Sequence, residues 1–328
     1  MDEASGMSSA RPPQKSIQAA AFYRTYHGHR PDRLELLLQS LRDFHGPSSV
    51  AVFFAGDSTL DNKTWLFNQG APVDRWRPAG AHAEATNGYE RVLDPPRMVC
   101  DVAYWMNRFL CEAGSRAFAV NSAVEATLLA SRVGGVHTCV CPTCGALYEQ
   151  DEFIRDNLRE QDMLVISVGG NDIALGPSIF TVVALVLLML TPWPLLVWWH
   201  PAVAYFVFLF RGQVQRYAEL LTAETKPAKV AVCMVYNLDE HNGESWANGA
   251  LCALCYCCWP SLLQARMRLM YELGIARVRL DGTEVVPVHL AEALDGKCSE
   301  DYHHRVEPSV QGGRKVARLL LRSLGLLT

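Results

Sequence analysis

Short β-branched and aromatic runs alternate with amphipathic segments along most of this chain, and no other feature restricts its fold as much. Val50–Ala55, Ala117–Val120, Met163–Val168, Lys229–Tyr236 and Val285–Leu290 predict strands, being short, apolar and bounded by polar residues. Pro31–Phe44, Pro96–Ala113, Asp151–Gln161, Val214–Thr225, Ser261–Leu273 and Gly312–Leu324 predict helices. The first of these carries Leu34, Leu36, Leu37, Leu38 and Leu41 at helical spacing and reads as amphipathic. Strands separated by helices run parallel, because each crossover returns the chain to the same end of the sheet. The expected fold is α/β, a mainly parallel sheet with helices on both faces. Half of the 328 residues are hydrophobic, which supplies the core of one large domain.

A formal net charge of −4, with no basic cluster, leaves no electrostatic footprint for nucleic acid. Residues 1–16 are polar and rich in Ser, Ala and Pro. They lack the apolar core of a secretory signal, so the expected location is intracellular, in the cytoplasm or at a membrane surface. The expected layout is a disordered or loosely attached segment over 1–30 and one domain over 31–328, with an apolar insertion at 173–210. Seven of the eleven Cys cluster, at 139, 141 and 144 and at 252, 255, 257 and 258, with His137 beside the first group. Thiolates two or three residues apart can share a zinc ion, but the two groups lie far apart and the second lacks paired spacing. Free thiols are the preferred reading, and no metal is expected.

Three strand ends carry polar residues: Gly56-Asp57-Ser58, Asn121, and Gly170-Asn171-Asp172. In an open parallel sheet such ends line one crevice. Gly56 allows a sharp turn that presents the Ser58 hydroxyl, although a plain strand, turn and helix-capping Ser accounts for that tripeptide equally well. A nucleophilic Ser needs a base and donors for the oxyanion it creates. Asn171 and the Ser58 N–H are candidate donors. Asp301 and His304, three residues apart before the last helix, have the spacing for an imidazole base oriented by a carboxylate. Asp57 and Asp172 are expected to brace their own loops.

Together these residues resemble the GDSL esterases and lipases, the SGNH hydrolases. Gly56-Asp57-Ser58 matches the family's nucleophile block, and Gly170-Asn171-Asp172 the block whose Asn completes the oxyanion hole. Asp301 and His304 match its last block. The resemblance spans roughly Ser49 to Leu324 outside the insertion. It implies a three-layer α/β/α sandwich of flavodoxin-like type and hydrolysis of carboxylic esters through an acyl-Ser58 intermediate, with no cofactor. Two positions depart from the pattern. Ala126 stands where the family has an oxyanion-hole Gly, and it carries a steric penalty if that site requires positive φ. The family's base His usually precedes a Pro and, four residues later, a Gly. Aligning on Pro308 and Gly312 puts Glu307 in the base position, whereas aligning on Asp-x-x-His selects His304. His304 is favoured, with His303 as fallback, because a carboxylate is a poor base for a Ser hydroxyl unless desolvation raises its pKa. The competing reading is a weak or inactive protein of this fold that binds lipid, membrane or a partner.

No Asp, Glu, Lys or Arg occurs from Ile173 to Phe210. One membrane crossing would put Asn171 and His304 on opposite sides of a bilayer. Two crossings need roughly 40 apolar residues, and this stretch has 38, with Pro192 and Pro194 near its middle. A hydrophobic lid or interfacial hairpin fits better than a full span or plain core. Such a lid favours acyl or lipid-like esters, with contact to a membrane surface through 173–210.

Overall fold

The computed structural model describes residues 16–68, 81–134 and 145–327. Five strands form its central sheet: β1 (Val50–Gly56), β2 (Ala117–Asn121), β3 (Met163–Ser167), β4 (Lys229–Met234) and β5 (Glu284–His289). All neighbours pair in parallel, in the order β2-β1-β3-β4-β5. This is the flavodoxin-like order, and its reversal between β1 and β3 opens a crevice at their C-terminal ends.

Alternate residues along each strand feed two cores. Phe53, Val120, Ile166 and Val232 pack with α1 (Pro31–His45), α3 (Glu149–Asn157) and α6 (Val214–Leu221) on one face. Val52, Phe54, Ala119 and Val165 pack with α2 (Val102–Glu112) and α9 (Val310–Leu324) on the other. The result is the expected α/β/α sandwich. α2 starts later than its apolar spacing suggests. Asp101 caps it, its carboxylate accepting from Tyr104 N, while Arg97–Val99 pairs instead as a strand with His82–Glu84.

The expectation of a loose segment over 1–30 is corrected for residues 16–30. Ile17–Gln18 pairs with Leu93–Asp94, and Phe22, Tyr23 and His29 are buried. His29 stacks on Phe22 at 4.0 Å and donates from Nδ1 to the Phe22 carbonyl at 2.8 Å. Stacked rings bury apolar area that a free tail would expose. Residues 1–15, His137, Cys139, Cys141 and Cys144 lie outside the described residues.

The apolar insertion folds as a helical hairpin. α4 (Ile179–Leu190) packs against α5 (Pro201–Val207), which continues through a π-helical stretch, Phe208–Gln213, into α6. Both arms also contact α8 (Pro260–Leu273), which follows the short α7 (Asn248–Ala253). Among the described residues no helix is long and apolar enough to cross a membrane.

Candidate active site

The turn after β1 is held in a geometry that only glycine enters. Gly56 sits at φ +150°, and a Cβ there would lie 2.1 Å from the Ser167 carbonyl oxygen. Below it Arg132 donates to the Gly56 carbonyl (2.9 Å) and pairs with Asp151 (2.9 Å), both side chains fully buried. Asp57 N donates to Ser167 O, and the Asp57 carboxylate accepts from Thr59 N at 3.2 Å. Asp57 therefore braces the turn, as its position implies. Burial raises its pKa to about 6.

Ser58 follows on this turn and lines a cavity of about 360 Å³ together with Asp57, Gly170, Asn171 and Glu307. Its hydroxyl donates to Glu307 Oε1 at 3.3 Å. The rest of the wall is largely apolar and comes from the hairpin (Val182, Leu185, Leu188, Phe206) and from Leu251 and Met270.

Glu307 reaches this point on a small hairpin in which Tyr302–His303 pairs antiparallel with Glu307–Pro308. The turn is closed by Val306 N donating to His303 O, with His304 and Arg305 both at positive φ. Arg305 is buried and locks it, donating to the Asp239 carbonyl (3.1 Å) and Asn248 Oδ1 (2.7 Å). On the other side Asn62 Nδ2 donates to Pro308 O at 2.6 Å.

The expected base, His304, lies on this hairpin. His304 is at its tip, where its ring meets Trp65 edge-on at 5.7 Å, and among the described residues it makes no hydrogen bond to Ser58. His303 pairs across the hairpin with Glu307. Asp301 does not orient either imidazole. Its carboxylate is buried and spoken for, accepting from Gln311 Nε2 (2.9 Å) and Lys315 Nζ (2.5 Å) on α9. Gly312 lets that helix approach, since a Cβ there would meet the Asp301 carbonyl at 2.1 Å.

The oxyanion candidates fare differently. Asn171 follows β3 and donates from Nδ2 to Thr127 O at 3.0 Å, which leaves its second N–H for another acceptor. Ala126 stands beside Thr127 at φ +57°, the left-handed region that favours glycine. The backbone N–H groups of Ser58 and Ala126 have no hydrogen-bond partner among the described residues. The loop carrying Ala126 is tied to the nucleophile turn by Val124 N donating to Gly56 O. Asp172 accepts from Leu129 N and Ala130 N, which secures the same loop.

Three buried groups near Ser58 carry no sequence signal. Glu125 is buried, and neither carboxylate oxygen has a partner among the described residues. Burial, and then the Asp61 carboxylate, push its pKa to about 8, against the pull of Lys63. Asp61 and Lys63 form a fully buried pair at 2.6 Å. Glu307 is held well above the carboxylate range by burial first, then by Glu125 and Asp57, with the Ser58 hydrogen bond opposing. His27, on the N-terminal segment, donates to the Glu125 carbonyl at 3.2 Å. Among the described residues no group of three or more His, Cys, Asp or Glu is arranged to hold a metal ion.

No family model and no curated protein matches the chain. Several solved structures resemble it. An acetylxylan esterase from Geobacillus stearothermophilus is 14% identical at a TM-score of 0.42, covering 85% of this chain and 95% of its own. A carbohydrate acetylesterase from Sinorhizobium meliloti is 13% identical at 0.42, covering 85% of this chain and 100% of its own. An inhibitor-bound aryl esterase from M. smegmatis is 14% identical at 0.43, with coverages of 85% and 100%.

Proposed function

We propose that this chain hydrolyses carboxylic esters through an acyl-Ser58 intermediate, with Glu307 as the general base. The observation that carries the reading is the hydrogen bond from Ser58 Oγ to Glu307 Oε1 in the wall of an apolar cavity. A solvated carboxylate is too weak a base for a Ser hydroxyl. Burial raises the basicity of Glu307 toward the range in which proton transfer is effective.

Ser58 Oγ attacks the acyl carbon and its proton passes to Glu307. The tetrahedral oxyanion is held by the N–H groups of Ser58 and Ala126 and the free amide N–H of Asn171. As the C–O bond to the alcohol breaks, Glu307 returns the proton to the leaving oxygen. Water then attacks the acyl-serine, with Glu307 taking its proton, and Glu307 gives that proton to Ser58 Oγ as the bond to the acyl carbon breaks and the acid leaves. The walls contributed by Val182, Leu185 and Phe206 favour an apolar acyl group over a charged one.

A fluorophosphonate probe tests this. Wild type is expected to label and Ser58→Ala not to. Glu307→Gln should lower turnover of a soluble acyl ester by on the order of 10²–10⁴-fold. His304→Ala should stay near wild type. Turnover that survives in Glu307→Gln and disappears in His304→Ala would reverse the assignment. A folded wild type that takes no probe at any pH would leave the non-catalytic binder as the reading.

A further inference from the structure

The hairpin buries one face on α8 and leaves the other bare. Leu190 is 77% exposed, Trp198 76%, Ile179 69% and Trp199 66%. Such a face greatly exceeds the scattered apolar residues of an ordinary surface. Two further exposed indoles come from elsewhere in the chain. Trp246 lines the Ser58 cavity, and Trp259 precedes α8, the helix on which the hairpin rests.

We propose that this composite face seats on a phospholipid bilayer and holds the cavity mouth against it. Three observations select lipid as the occupant. First, the hairpin satisfies its own hydroxyls. Thr181 bonds Tyr205 at 2.6 Å, Thr191 donates to the Leu187 carbonyl at 2.6 Å, and Ser178 caps α4. No side-chain hydroxyl of this hairpin needs water or a partner, which lowers the cost of entering an apolar phase. Second, the tip and rim are indoles, whose apolar ring and N–H suit the boundary between acyl chain and headgroup. Third, the dimensions permit insertion without spanning. α4 has 12 residues and is about 18 Å long, against a hydrocarbon core of about 30 Å. Docking itself does not depend on catalysis. That the bilayer supplies the ester does rest on the hydrolase reading above.

The full chain carrying Ser58→Ala, mixed with sucrose-loaded phosphatidylcholine vesicles with and without phosphatidylserine, reads binding without turnover. It is expected to pellet with the vesicles, with its Trp emission shifted to the blue. Trp198→Asp with Trp199→Asp, and separately Ile179→Asp, should each lower partitioning by on the order of tenfold or more. Both variants should keep the thermal melt of the parent, and Phe44→Asp, outside this face, should bind as the parent does. A parent that stays in the supernatant at every lipid concentration overturns the proposal. So does undiminished pelleting of the folded Asp variants. A lipid-independent dimer that these substitutions dissociate would also overturn it, because a second copy then covers the face. Hydrolysis of a soluble acetyl ester by wild type is measured alongside. Loss of lipid binding with that activity intact would refute docking alone.

Discussion

Ala126 shows how far a single position can be read from sequence. Its place in the Asn121–Thr127 stretch predicted a steric cost if the loop needs positive φ, and the backbone has φ +57°. An alanine in the left-handed region costs roughly 1–2 kcal/mol, part of which Gly would return through the freedom it adds to the unfolded chain. Ala126→Gly is expected to raise stability by about 0.5–1 kcal/mol, measured as a shift in the urea midpoint. It should leave turnover unchanged, because the N–H is retained. Ser58 and Asn171 were legible for a related reason: each follows directly on a strong apolar run, so the strand end fixes its position. Glu125 was not legible. One acidic residue in a loop has no period or spacing, and its meaning comes from burial beside Asp61 and Glu307.

The segment 302–308 shows where an element overrides a motif. Asp301 and His304 have the spacing of an acid and its base, but spacing along a chain does not fix direction in a tight hairpin. The turn carries His304 to the tip and returns the chain so that Glu307 meets Ser58. Asp301 is then a structural clamp on α9. Asp301→Ala should cost about 0.5–1.5 kcal/mol, because it removes two hydrogen bonds whose donors, Gln311 and Lys315, are exposed and can turn to water. Turnover per folded molecule should fall little, which a denaturation curve and an active-site titration together would check. A loss of turnover by on the order of 10³-fold at unchanged stability would return Asp301 to the catalytic set. The apolar insertion was legible as an element from its lack of charge. Its two short arms were set by Pro192, Pro194 and Pro201, which interrupt any continuous helix.

Over the whole molecule, several carboxyls lie buried near the C-terminal edge of the sheet. Burial raises Asp57 to about 6, Asp101 to about 7 and Glu125 to about 8, from ordinary values of 3.8, 3.8 and 4.5. Between each pair of values the folded chain binds more protons than the unfolded one, so stability falls as pH rises through that window. The thermal midpoint is expected to decline from near pH 4 to pH 8. Glu125→Gln should flatten the upper part of that decline. A midpoint that rises over the same range would refute the protonated cluster. The sheet order β2-β1-β3-β4-β5 brings these acids together, because it places the loops after β1, β2 and β3 side by side.

What the amino-acid sequence determined by itself was everything that depends on local pattern. Apolar runs and helical spacing dictate parallel strands under two helical layers, and Gly56 at the end of the first run marks the turn that carries Ser58. Only the tertiary structure decided which side chain meets that serine. A general base is chosen by distance and desolvation, and both arise when a hairpin held by Arg305 and Asn62 closes against a turn some 250 residues away in the chain.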